Sequence, residues 1–213
     1  MDFESIRKEY ADRPLTSKDL APHPIVQFER WMQDAVNAHI VEPNAMVLAT
    51  ADVKGAPSVR TILLKGFDDR GFVFYTNYSS AKAKEMEENP RVALMFLWLS
   101  LERQVKIKGI ASKIPREESI LYFKKRPLKT QLAAWASPQS EIIVSRWELE
   151  KRVEEIKQQF AQEPEIPMPP FWGGYRVKPE LFEFWQGRPD RLHDRFVYQK
   201  GAADEWTIHR LAP

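Results

Sequence analysis

Arg191-Leu192-His193-Asp194-Arg195 is the sharpest cluster of chemistry-bearing side chains in the sequence. In an extended chain alternate residues share a side, so Arg191, His193 and Arg195 project together while Leu192 and Asp194 face away. Three basic groups on one side repel one another unless an anion or acidic partner sits among them. The cluster is therefore either an anion site or a solvated strand end, and Trp185-Gln186-Gly187 just before it adds a flat surface. Ser79-Ser80-Ala81-Lys82 gathers hydroxyls, helix-start amides and an ammonium. That set can hold a phosphate, or it can be an ordinary helix cap. Tyr122 and Arg126 stand i and i+4, which puts them on one helix face with Lys125 and Lys129 close by. They make a second anion candidate or a solvated basic face.

Several familiar chemistries are excluded. The glycines form neither G-x-G-x-x-G nor G-x-x-x-x-G-K-[ST], so any phosphate must be held by side-chain cations and hydroxyls, aided by a helix N-terminus. His23, His39, His193 and His209 have no metal-ligand spacing, so no metal is expected. No G-x-S-x-G elbow is present. With no cysteine, disulfides, thiolate nucleophiles and Cys-ligated metals are out, and a reducing cytoplasm suits the chain. The opening MDFESIRKEY is too charged for a secretory leader, and no apolar run reaches spanning length, so no membrane is expected. Lys and Arg exceed Glu between residues 103 and 129, but the formal net charge is only +2, and no nucleic-acid partner is expected.

These residues need elements to hold them. Residues 1–23 are charged and broken by Pro14 and Pro22, which suggests a mobile or partner-docked arm. After Pro24, the spacing of Ile25, Phe28, Met32, Ala35 and His39 predicts a helix. Strands are predicted at about 46–51, 59–64 and 72–76, the last two joined through the turn Asp68-Asp69-Arg70-Gly71. Ser79 or Ser80 caps a short helix that stops before Asn89-Pro90. Residues 92–98 are almost continuously apolar, consistent with a strand buried on both faces. Residues 103–112 alternate, with Val105, Ile107, Gly109 and Ala111 on one face and Gln104, Lys106 and Lys108 on the other. Pro115 suits a first helical position, in a helix ending at Arg126-Pro127. Ser145 and Glu148 form a capping-box pattern before a stripe of Leu149, Val153, Ile156 and Phe160. A Pro-rich connector over 163–170 leads to strands near 174–177, 181–185, 195–199 and 206–210. The final strands are too few for a core of their own. We expect a mainly β, α+β fold: residues 24–213 as one domain, its antiparallel sheet closed into a barrel with helices packed outside.

Six blocks then carry a resemblance. They are Arg60-Thr61-Ile62-Leu63-Leu64-Lys65-Gly66 with Gly71-Phe72-Val73-Phe74-Tyr75-Thr76-Asn77; Leu101-Glu102-Arg103-Gln104-Val105; Trp135-Ala136-Ser137-Pro138-Gln139-Ser140; Phe171-Trp172-Gly173-Gly174-Tyr175-Arg176; Phe184-Trp185-Gln186-Gly187 with Arg191–Arg195; and Arg210-Leu211-Ala212-Pro213. In this order, from about residue 7 to the end, they resemble the pyridoxamine 5′-phosphate oxidase family. The resemblance implies an FMN-binding split β-barrel, acting as a homodimer with FMN at the subunit interface. It implies flavin contacts from Arg60, Thr61, Ile62, Leu63, Leu64, Lys65, Tyr75, Thr76, Lys82, Gln104, Gln139, Ser140, Trp185 and Arg195. Substrate contacts would come from Arg7, Lys8, Glu9, Tyr10, Lys65, Tyr122, Arg126, Thr130, Arg191, Leu192 and His193, with Arg191 and His193 in the catalytic role. The implied reaction moves a hydride from C4′ of pyridoxamine or pyridoxine 5′-phosphate to flavin, with dioxygen as final acceptor. Pyridoxal 5′-phosphate, hydrogen peroxide and, from the amine, ammonia result.

Three positions depart from the family pattern: Ala81 replaces an arginine near the FMN phosphate, Thr130 replaces a serine, and Glu42 replaces an aspartate. Lys84, three residues after Ala81, is placed to substitute for the missing arginine. Two rivals stay open: a related flavin oxidase from another pathway such as phenazine formation, and a non-catalytic flavin or pyridoxal-phosphate binding protein.

Overall fold

The structure, a computed structural model, describes Phe3 and residues 9–213. Helix α1 (Pro24–Asn37) starts where Pro24 fixes the first turn and the His23 side chain accepts the Ile25 N–H at 3.3 Å. Its buried stripe is Ile25, Phe28, Trp31 and Ala35. The expected stripe is thus shifted: Met32 is only half-buried, and His39 lies past the helix with φ 56°. Trp31 takes the inward place because Phe184 meets it edge-on at 5.2 Å and Arg103 covers its ring at 4.5 Å.

Among the described residues nine strands follow: β1 (Ala45–Ala51), β2 (Pro57–Leu63), β3 (Gly66–Asp68), β4 (Gly71–Asn77), β5 (Arg91–Trp98), β6 (Arg103–Lys113), β7 (Trp172–Gln186), β8 (Asp194–Lys200) and β9 (Trp206–Leu211). Every pairing is antiparallel, in the order β2-β1-β5-β6-β7-β4-β3, with β8 joining β7 and β9 joining β8. The sheet curls into a split barrel. β7 pairs with β6 along one edge, while its other edge takes β4 over Trp172–Val177 and then β8 over Leu181–Gln186. Inside sit Leu48, Phe72, Phe74, Phe96, Ile107, Phe182 and Phe184, with Phe28 of α1 at 4.9 Å from both Phe72 and Phe96.

Several expectations need correcting. The Asp68–Gly71 turn joins β3 to β4, not β2 to β4, because the chain breaks at Leu64 and Lys65 and re-pairs one short strand later. β5 is not buried on both faces: it alternates, and Leu97 is 47% exposed. The two strands expected on either side of Pro179 are one strand, β7. Its register shifts opposite Lys108 and Gly109, and Pro179, lacking an N–H, sits in that irregularity.

Helix α2 (Ala81–Glu88) has Ser80 at its N-cap, but that hydroxyl donates to the Asn77 carbonyl instead of capping. Pro115 caps α3 (Arg116–Lys124) from outside the helix. Arg126 is therefore not on the helix of Tyr122. It lies in the bend before α4 (Leu128–Ala136), a helix the sequence reading did not separate. α5 (Arg146–Gln159) starts as expected, the Ser145 hydroxyl accepting the Glu148 N–H at 3.3 Å. Its stripe of Leu149, Val153, Ile156 and Phe160 is half-buried.

Candidate functional site

A cleft of about 790 Å³ opens between β2 and β4 on one side and α3, α4 and the segment after α4 on the other. It brings together Arg60, Thr61, Ile62, Leu63, Lys65, Tyr75, Thr76, Lys82 and Gln139 from the expected flavin contacts. Tyr122, Arg126 and Thr130 from the expected substrate contacts line it too. The i, i+4 geometry argued for Tyr122 and Arg126 is absent, yet the bend at Arg126 delivers both to one wall.

Of the lining residues, Lys82 is only 9% exposed. Its ammonium donates to Gln139 Oε1 (3.0 Å), Thr76 Oγ1 (3.3 Å) and Ser80 Oγ (3.4 Å). Among the described residues no carboxylate lies within ion-pairing distance. Burial, with the Arg60 charge adding, lowers the lysine pKa, and Glu85 works the other way. Arg60 is more fully engaged: it donates to Ser58 Oγ at 2.7 Å and to the Thr50 hydroxyl, and pairs with Glu85 at 3.1 Å. Ala81 and Lys84 are exposed, and neither is among the residues that line the cleft.

Three rings of the lining, Tyr75, Tyr122 and Trp172, lie nearly parallel. Tyr122 stacks on Tyr75 at 3.9 Å and 8°, and Tyr75 on Trp172 at 5.3 Å and 8°. Burial, with Tyr122 and Glu118 adding, pushes the Tyr75 hydroxyl up to about 12, so it stays protonated. The Arg126 guanidinium sits 4.7 Å from the Trp172 ring centre, and its buried Nη1 has no hydrogen-bond partner among the described residues. A buried guanidinium nitrogen left unpaired is costly, and an anionic oxygen is its natural complement. Thr130 is nearby, but its hydroxyl donates to the Pro127 carbonyl at 2.8 Å and must turn to serve an anion.

The remaining candidates lie elsewhere. Leu64 is a core residue, 6% exposed. Ser140 stands just past Gln139 with φ 75°. Tyr10, Gln104 and Trp185 line a separate hollow of about 220 Å³. His193 joins them, its ring 4.7 Å from Trp185 and 5.5 Å from Tyr10. The strand geometry expected for residues 191–195 fails, because Arg191 has φ 59° and β8 starts only at Asp194. The acidic partner expected among the basic groups is found for one of them. Arg195 pairs with Glu183 at 2.8 Å, and Asp194 takes Arg188 and Arg210. Arg191 and Leu192 are exposed. His193 Nδ1 accepts the Arg188 N–H at 3.1 Å, so in the neutral ring Nε2 carries the proton. Burial, then the Arg191 charge, lowers the His193 pKa. Glu9 is exposed, and Arg7 and Lys8 lie outside the described residues.

Two residues escaped the sequence reading. Trp172 stood inside a quoted motif with nothing local to mark it as a wall of the site. Glu85 meets Arg60 across 25 residues, a pairing no local spacing encodes.

Residues 32–160 match the family model described as pyridoxamine 5′-phosphate oxidase, and residues 172–213 match that of the pyridoxine 5′-phosphate oxidase C-terminal dimerisation region. A pyridoxine/pyridoxamine 5′-phosphate oxidase of Crocosphaera subtropica is 59% identical, covering 100% of both chains. One of Rippkaea orientalis is 57% identical with the same coverage. Among solved structures, PhzG from Burkholderia lata in complex with tetrahydrophenazine-1-carboxylic acid has a TM-score of 0.87 at 31% identity, over 95% of this chain and 99% of that one. A pyridoxamine 5′-phosphate oxidase-related, FMN-binding protein from Nostoc punctiforme shares the fold, with a TM-score of 0.72 at 18% identity over 91% of this chain and 100% of that one. Matched by the family model over more than half its length and by relatives from end to end, the chain belongs to the pyridoxamine 5′-phosphate oxidase family.

Proposed function

We propose that this chain is an FMN-dependent oxidase that converts pyridoxamine 5′-phosphate and pyridoxine 5′-phosphate to pyridoxal 5′-phosphate, using dioxygen and releasing hydrogen peroxide. The observation that carries the reading is one cleft lined by two cations without a carboxylate partner among the described residues, Lys82 and Arg126, the second with a buried Nη1 that has no hydrogen-bond partner among them. A flavin phosphate and a substrate phosphate need two such seats. Residues 24–213 would be a single flavin-binding domain, residues 1–23 its arm, and the cytoplasm its setting, where a cysteine-free chain needs no oxidising compartment.

Lys82, Arg60, Thr76 and Gln139 would hold the cofactor phosphate, and Lys65, Tyr122, Arg126 and Thr130 the substrate phosphate. FMN, when bound, supplies the acceptor for the hydride leaving C4′ and the route for its electrons to dioxygen. Arg191 and His193 would bracket the substrate ring, His193 offering its Nε2–H as a donor. Neither lines the cleft of its own protomer. A homodimer that places the Tyr10, Gln104, Trp185 and His193 cluster of one copy over the cleft of the other would unite the halves. The match to a dimerisation region over residues 172–213, which include Trp185 and His193 of this cluster, supports that arrangement.

The test is to incubate purified protein with FMN and pyridoxamine 5′-phosphate and follow aldehyde and peroxide. Both should form in step; absence of turnover sinks the reading. PhzG's likeness keeps a phenazine-type oxidase in view, and pyridoxamine without its phosphate separates the two. Loss of turnover with that compound supports the Arg126 seat, whereas equal turnover argues against it.

A further inference from the structure

One cation of the proposed cofactor-phosphate seat, Arg60, is bonded to a carboxylate. Glu85 projects from α2 and accepts from Arg60 Nη2 at 3.1 Å and from the Thr50 hydroxyl, which itself bonds to Arg60. Arg60, Thr50 and Glu85 thus close a triangle, which Ser58 extends through Oγ at 2.7 Å. The Arg60 and Glu85 side chains are each only 19% exposed, so this pair is shielded far more than a surface one. Arg60 lines the same cleft as Lys82.

We propose that Glu85 is a positioning residue for the cofactor phosphate, fixing the Arg60 guanidinium and offsetting its charge. The proposal rests on the FMN reading above. Two partly buried cations in one cleft repel each other, and a carboxylate bonded to one of them relieves that repulsion while no phosphate is present. The same carboxylate repels an arriving phosphate. Glu85 therefore gives order to the empty seat and weakens attraction for the filled one, a balance that suits a cofactor bound reversibly.

Charge and geometry separate with two variants and two flavins. Glu85→Gln keeps an acceptor for Arg60 and removes the charge. Flavin-free full-length protein, titrated by fluorescence, should then bind FMN about tenfold more tightly at low salt, the order a single close charge is worth at intermediate dielectric. The gain should shrink at high salt, and riboflavin, which lacks the phosphate, should bind as before. Glu85→Ala also removes the acceptor and should bind FMN less tightly than Glu85→Gln does. A merely structural Glu85 would alter both flavins alike. FMN affinity unchanged or weakened in Glu85→Gln, in a parent protein that prefers FMN to riboflavin, overturns the proposal. A parent that shows no preference for FMN overturns the phosphate seat itself, and the proposal with it. Should Glu85→Gln not fold, Thr50→Val cuts the hydroxyl joining the pair and leaves both charges; it must weaken FMN alone, and unchanged FMN affinity there is equally fatal.

Discussion

Arg126 carries a guanidinium that burial works against, stacked on Trp172 with one nitrogen unpaired. Arg126→Ala should cost about 1.5–3 kcal/mol of substrate binding, the worth of one hydrogen bond to a charged group. Steady-state kinetics should show this as a raised KM with little change in kcat, because the phosphate is held equally in ground and transition states. Unchanged KM with lost FMN would mean the two phosphates have been exchanged. His193 makes a different prediction. Folding lowers its pKa below the ordinary 6.5, so the native chain binds this proton less readily than the unfolded one. Its contribution to stability is therefore kept above the unfolded pKa and declines as pH drops through the window between the two values. If the neutral ring is the working form, kcat/KM falls in acid with a midpoint below 6.5. His193→Asn should lower kcat/KM, keep the flavin and erase that limb of the profile. An unaltered acid limb in the variant assigns it to another group.

At the scale of elements, most strands and most helices are legible because their cues are local: the alternation of 103–112, the Ser145 cap, the Pro24 start. What failed were places where a breaker serves something other than a break. Arg126-Pro127 marks the end of one helix, but Pro127 also caps the next, α4, where Leu128, Leu132 and Ala136 have helical spacing. Pro179 suggested a loop, but the missing N–H falls where β7 slips register against β6. Gly109 makes that slip possible. A Cβ there would sit 2.2 Å from the Lys178 carbonyl oxygen, so Gly109→Ala should destabilise by about 3 kcal/mol, the upper part of the overpacking range. Chemical denaturation measures it, and a loss under about 0.5 kcal/mol, ordinary for a surface change, would show that the strands can move apart.

For the molecule as a whole, most members of both site clusters are nameable from sequence through the family resemblance, Trp172 being an exception. Their separation on one protomer was not, since no local spacing reports which side of a curled sheet a residue reaches. The same separation makes the oligomer testable. Light scattering should show a dimer, and thermal unfolding should move upward with added FMN by mass action on the folded form. A monomer that binds FMN at full strength would refute the shared site.

β7 also sets a timetable. It is the partner for an edge of β4, of β6 and of β8, yet it leaves the ribosome after the first two have been made. Until then β4 and β6 each present a row of unpaired backbone groups, the kind of edge that invites pairing between chains. Tyr75 must wait for Gly174 to arrive. Nascent chains stalled before Trp172 should therefore bind chaperones and aggregate on release, while chains extended past Gln186 should become protease-resistant. Pulse-chase proteolysis of chains stalled at the two lengths would show whether protection waits for this one strand.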